Sequence, residues 1–331
     1  MSVKLDELQV TITELNHQGR FREAVPPMVE AAELTRIKYS DNAPEYVAIL
    51  NELGGLYRML GEYDNSESVF VKAKNIQFES EGKENPDYAT TINNLAGTYR
   101  LKRDYPRSES LFLEAIEIYR STIGTQHFLY TSALNNLGLL YTDMKKYEKA
   151  EQLYHEALEI LRNSKKHDTA IATTLNNLAT ICMEKGNNKD AEQFLKEAIE
   201  VYERTVGKEA PLYVYGLNSL AALYFGMAEY AKAEQLFLQA IGLIEKLYGK
   251  DHPYYAKTAI NLGFTYEKMS KNKDAEKYYI LVLEIHHRIF GEASLNYIDS
   301  VDTLIKFYNK IGEHDKAREF GMKKQESGKE S

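Results

Sequence analysis

Seven leucines stand in a fixed register: Leu53, Leu95, Leu137, Leu178, Leu220, Leu262 and Leu304, separated by 42, 42, 41, 42, 42 and 42 residues. A chain that repeats itself at this period reads as a stack of like units, each burying an apolar face against the next. Four residues after each leucine comes Tyr57, Tyr99, Tyr141, Cys182, Tyr224, Tyr266 or Tyr308. A spacing of four puts both side chains on one face of a helix.

Six residues further on, Tyr63, Tyr105, Tyr147, Asn188, Tyr230, Asn272 and His314 mark the start of a second helix. The polar stretches around them, such as MLGEYDNSE and IGEHDKARE, hold the Gly, Asn, Asp and Ser residues that end one helix and begin another. Small residues then recur at Ser66, Ser108, Ala150, Ala191, Ala233, Ala275 and Ala317. Bulk follows one turn later at Phe70, Phe112, Tyr154, Leu195, Phe237 and Tyr279, so small and large positions interdigitate. Each unit therefore predicts two antiparallel helices with a short internal turn. The linkers between units include SEGKENPDY, RTVGKEAPLY and KLYGKDHPYY, where Gly or Lys closes one helix and Pro86, Pro211 or Pro253 enters the first turn of the next. One linker, between Ile160 and Ile171, is a residue shorter, which predicts a local change in the step of the stack.

The N-terminus keeps the register imperfectly. Leu15, Gly19 and Phe21 fall 42 residues before Tyr57, Gly61 and Tyr63, but Thr11 replaces the marker leucine. Residues 3–38 are expected to form a degenerate pair capping the stack, 45–322 seven registered pairs, and 323–331 a disordered tail, because the apolar period ends at Phe320.

Leucine, a small residue, tyrosine, Gly-x-Tyr, alanine, an aromatic and alanine in this order resemble the tetratricopeptide repeat. The 42-residue unit with its LNNL and GKDHP elements is similar to the kinesin light chain subclass. The resemblance implies an all-α, right-handed superhelical solenoid whose first helices line a concave channel for an extended peptide or another protein's segment. It also implies that the residues five, two and one before the marker leucine, and two, five and six after it, look into that channel.

Those positions carry an amide ladder. Asn51, Asn93, Asn135, Asn176 and Asn218 stand at one level, and Asn94, Asn136, Asn177 and Asn261 at the next. Asn is a poor helix former, so its repetition in TTINNLAGTY, TSALNNLGLLY and ATTLNNLATIC asks for a purpose. Each carboxamide offers two donors and an acceptor, which suits a peptide backbone whatever its side chains; pairing with neighbouring helices or water is the alternative. Family members that clamp a terminal carboxylate carry an Asn at the second level together with inward cations. Here Thr90, Ser132 and Thr173 occupy such inward positions, which argues against a C-terminal carboxylate as the ligand. Arg58 and Arg100 form a basic spot, with pairing to nearby Glu side chains as its alternative, and Asp143 and Glu184 make the middle acidic. Tyr215, Phe225, Phe264, Lys257, Glu267 and Lys268 form an aromatic, mixed-charge surface further along.

A formal net charge of -8 over 331 residues argues against nucleic acid as the main partner. No apolar run reaches the length of a signal peptide core or a membrane span, and the single cysteine, Cys182, excludes an internal disulfide; a cytoplasmic protein is expected. Cys182 fills a tyrosine slot and is expected to be buried and inert. His286 and His287 are adjacent on a helix and so diverge, while His155, His252 and His314 are dispersed; none has metal-binding context. His127 and His252 precede helix starts, where capping accounts for them. No motif calls for a cofactor or for acid-base catalysis. The function expected is a non-catalytic scaffold or adaptor gripping an extended segment. The alternatives are a homo-oligomer such as a homodimer, built through outer or terminal surfaces, and a regulator that bends when a peptide binds.

Overall fold

The structure, a computed structural model, describes residues 2–164 and 168–327. All regular structure among the described residues is helical, sixteen helices in antiparallel pairs. The first pair is α1 (Ser2–His17) and α2 (Phe21–Tyr39). Seven registered pairs follow. Their first helices are α3 (Pro44–Met59), α5 (Pro86–Leu101), α7 (Phe128–Asp143), α9 (Asp168–Glu184), α11 (Pro211–Gly226), α13 (Pro253–Lys268) and α15 (Leu295–Ile311). Their second helices are α4 (Tyr63–Glu81), α6 (Tyr105–Thr122), α8 (Tyr147–Ser164), α10 (Asn188–Val206), α12 (Tyr230–Tyr248), α14 (Asn272–Phe290) and α16 (His314–Ser327).

Helix ends follow the turn chemistry. The Asn85 side chain accepts from Asp87 N, and His127 and His252 accept through Nδ1 from the backbone N–H groups of Leu129 and Tyr254. The turn inside every registered pair passes through one left-handed residue: Gly61, Arg103, Lys145, Gly186, Ala228, Ser270 or Gly312, with φ between 57° and 84°. Only three of these seven are glycine, so four side chains are held where a Cβ crowds the backbone.

Where the register predicts one array, the internal contacts divide the chain into two compact units. Unit 1 holds 1–16 and 23–205, and unit 2 holds 17–22 and 206–331. In both units the marker leucines and the small and bulky residues of the second helices form the core. Leu95, Leu137, Phe112, Tyr154 and Ala157 in unit 1, and Leu262, Ala240, Phe237 and Tyr279 in unit 2, are almost wholly buried. Gly138 lies beneath Tyr154 and Gly263 beneath Tyr279; a Cβ there would come within 2.4 and 2.7 Å of the ring. Where Ala179 takes the same place, the opposing residue is the smaller Leu195.

In unit 2 the turn at 17–22 packs on the corner between α12 and α13. Phe21 meets the His252 ring edge-on at 5.9 Å, Tyr248 stacks on it at 4.4 Å, and Gly19 leaves no room above it. Burial, with a smaller push from His17, lowers the His252 pKa to about 4. At the chain's end α16 continues to Ser327, and Lys324 reaches Asp302 at 2.7 Å, so the helix runs past the end expected from the apolar period. Residues 328–331 of the expected tail, and 165–167 of the short linker, lie outside the described residues.

Candidate functional site: the first-helix face

In unit 1 the first helices α3, α5, α7 and α9 stand side by side, and α11 and α13 do so in unit 2. This brings the Asn positions of successive units to one face. The amides are not idle there. Asn51 donates through Nδ2 to its own helix at Val47 O and across to Thr91 Oγ1 at 2.9 Å. Asn135 does the same, to Thr131 O and to Thr174 Oγ1, both at 3.0 Å. Asn176 donates to Ala172 O at 3.0 Å. The second level reaches backwards: Asn136 Nδ2 lies 3.3 Å from Asn93 Oδ1, and Asn177 Nδ2 lies 3.4 Å from Asn135 Oδ1. Much of the ladder is thus a zipper between adjacent units.

Two of its members are sealed, for Asn176 and Asn177 are only 1% and 6% exposed. Asn51, Asn93, Asn94, Asn135, Asn136, Asn218 and Asn261 are half-buried. The Oδ1 atoms of Asn51, Asn176 and Asn218 are buried and accept no hydrogen bond. An acceptor in that condition is costly to keep. Asn94 and Asn261, at the second level of the ladder, have side-chain amides that no group among the described residues engages.

The residues missed from sequence are Thr91 and Thr174, whose hydroxyls receive the cross-unit bonds. Their signal was present in TTINN and TTLNN, where the second threonine stands two residues before the first Asn. The unit between them reads SALNN, with Ala133 in that place, and no hydroxyl awaits Asn93 there. The inward threonines Thr90 and Thr173 turn aside to Tyr119 and Tyr202 hydroxyls at 2.9 and 3.0 Å.

The charged positions separate into paired and unpaired. Arg100 pairs with Asp143 at 2.7 Å, across two units, instead of with a glutamate. Arg58 pairs with no carboxylate among the described residues; its Nη1 donates to Asn94 O at 3.0 Å. Glu184 accepts from the Tyr147 hydroxyl at 2.9 Å. In unit 2 burial works against the Glu267 charge, yet bonds from Lys310 at 2.7 Å and the Tyr279 hydroxyl at 2.6 Å hold its carboxyl below the usual range. Tyr215 and Phe264 are exposed, with Phe225 half-buried against Tyr230 at 5.7 Å, and Lys257 and Lys268 are exposed without an ion pair among the described residues. Cys182 is buried in its tyrosine slot, and burial, then Asp190 and Glu151, push its thiol pKa up. His286 turns to Ser300 Oγ at 2.7 Å and His287 to Glu292 at 3.0 Å, so the adjacent histidines diverge. Among the described residues no three His, Cys, Asp or Glu side chains are grouped to hold a metal ion, and no helix is long and apolar enough to cross a membrane.

Within each unit, successive helix pairs that set their first helices side by side define an α-solenoid repeat protein. The tetratricopeptide repeat family model matches residues 45–121, 87–163, 129–204, 170–245 and 214–286, and the chain belongs to that family. Its fold is similar to that of BtubC (BKLC) from P. vanneervenii, with 22% identity, TM-score 0.55, and 71% of this chain and 92% of that one covered. It is also similar to a Rap protein solved in complex with Competence and Sporulation Factor, at 16% identity and TM-score 0.61, covering 99% of this chain and 98% of that one. The apo form of the quorum sensor NprR from B. thuringiensis matches at 15% identity and TM-score 0.63, covering 98% of this chain and 86% of that one. No curated protein sequence matches the chain.

Proposed function

We propose that the first-helix face binds an extended peptide or protein segment, making the protein a non-catalytic scaffold. The observation that carries this reading is the set of polar groups left over after the zipper has closed. Among the described residues, Asn94 in unit 1 holds an unengaged amide and Arg58 a cation without a carboxylate partner, while in unit 2 Asn261 holds an unengaged amide and Tyr215 and Phe264 are exposed aromatics on first helices. Packing alone does not require such groups, while a bound segment would satisfy amides and cover rings together. The Rap protein's solved complex with a bound factor supports a ligand-holding role for a chain of this fold. The 42-residue unit with LNNL and GKDHP elements supports the kinesin light chain-like subclass as the finer assignment. A single buried thiol suits a cytoplasmic setting.

Random decapeptides displayed on phage and selected on the full chain provide the test. Each selected peptide should bind either the Asn94→Ala or the Asn261→Ala variant at least about tenfold more weakly, a loss of about 1.4 kcal/mol. Peptides that bind both variants as tightly as the native chain would place the binding surface elsewhere. A second reading, a homodimer, draws on Val3 and Val10, which are 71% and 59% exposed on α1. Sedimentation of a Val3→Asp/Val10→Asp variant as monomer, with native protein as dimer, would favour it.

A further inference from the structure

Arg58 is placed at an unusual cost. It sits in the last turn of α3, half-buried, with its guanidinium 5.8 Å from the Phe70 ring centroid. One of its five N–H groups is accounted for, by the Nη1 bond to Asn94 O at 3.0 Å. No carboxylate among the described residues stands within ion-pair distance of it, although Arg100, in the same place one unit later, has Asp143 at 2.7 Å. Burial, and then the charge of Arg100, lower the Arg58 pKa, as expected of a cation held without compensation.

The neighbouring helix is shaped around this group. Gly97 lies in the middle of α5, and a Cβ there would come within 2.8 Å of Arg58 Nη1. Glycine inside a helix weakens it, and a partly desolvated cation without a counter-charge weakens the fold further. Neither is demanded by the architecture. One unit later the corresponding positions hold Arg100, which has Asp143 as its partner, and Leu139; one further they hold Thr142 and Thr180. There the same slots pack with neutral side chains.

We infer that Arg58, with Arg100 beside it, is the seat for one anionic group, a carboxylate or a phosphoryl, carried by the segment bound on the first-helix face. This rests on the groove reading above. The free N–H groups of a guanidinium suit two-point recognition of either oxyanion. The charges around the seat are Arg100 with its partner Asp143, and the exposed Glu52 on the groove side of α3. An incoming anion therefore meets one unpaired cation first and competes with Asp143 for the second.

The probes are inorganic phosphate and acetate, added to the full chain at constant ionic strength with chloride as the control. The readout is the arginine side-chain Nε–H spectrum, assigned with Arg58→Lys. The Arg58 signal should shift saturably with phosphate or with acetate, while that of exposed Arg103 should not. Phosphate alone would assign a phosphoryl group and acetate alone a carboxylate. A shift that chloride reproduces, or that Arg103 shares, overturns the seat.

Stability supplies a second arm. Removing an unpaired cation should raise the urea midpoint, so Arg58→Met is expected to be more stable than the native chain. A lower midpoint would mean that the guanidinium merely braces Asn94, and the proposal fails. The selected decapeptides separate this seat from the groove itself. Peptides that need Asn94 but bind Arg58→Met with unchanged affinity sink the seat and leave the groove standing. An anion shift at Arg58 without any Asn94-dependent peptide does the reverse.

Discussion

Tyr141 shows how a single hydroxyl joins neighbouring units. It donates to Glu109 of the preceding pair at 2.7 Å, as Tyr99 does to Glu67 at 2.9 Å and Tyr308 to Glu276 at 2.8 Å. Burial, and then the bond to Glu109, push the Tyr141 pKa up to about 12. An acid whose folded pKa lies above its unfolded value of 10.0 favours the fold below pH 10 and loses that contribution as pH rises towards about 12. Tyr141→Phe should cost about 1 kcal/mol at neutral pH, and the native chain's advantage over it should shrink across that alkaline window. Urea titrations of both chains from neutral to alkaline pH check this; an equal midpoint at neutral pH would show that the hydroxyl contributes nothing. In the fourth unit Cys182 cannot make this bond, and Glu151 is taken instead by Lys185 at 2.9 Å.

At the scale of helices and turns, the position that ends each first helix is uniform in conformation and varied in sequence. Ala228 adopts φ 60° where Gly61 and Gly312 adopt 76° and 84°. Left-handed geometry costs a Cβ-bearing residue roughly 1–2 kcal/mol, partly offset by the lower entropy of its unfolded chain. Ala228→Gly should therefore stabilise unit 2 by about 0.5–1 kcal/mol, read as a higher urea midpoint; a lower midpoint would contradict the strain. The helix pairs themselves were legible from sequence, because the leucine, tyrosine and small-residue registers act through local periodicity. The partition of the ladder was not. Whether Asn135 faces a ligand or Thr174 depends on how far one helix stands from the next, and residue types alone do not carry that distance. The sealing of Asn176 and Asn177 and the pairing of Arg100 with Asp143 are tertiary outcomes of the same kind.

At the scale of the whole molecule, a repeat array derives its stability from each unit and from the interfaces between neighbours. Asn135 ties α7 to α9 twice, since it donates to Thr174 and accepts from Asn177. Asn135→Ala removes both links and leaves the buried Asn177 amide without its acceptor. The expected loss is about 1–3 kcal/mol, with amide exchange accelerated in α7 to α10 ahead of α3 and α4. Uniform acceleration throughout unit 1 would contradict a local zipper. The same economy of bonds bears on recognition: the amides that hold units together are unavailable to a partner, and those left over define where one can be gripped.

A photo-crosslinking amino acid placed at position 94 on α5, or at position 261 on α13, tests this most directly when compared with the same group at position 117 on α6. With a selected decapeptide present, adducts are expected from 94 or from 261 and none from 117, where the exposed Glu117 belongs to a second helix. Adducts from 117 with none from 94 or 261 would contradict it.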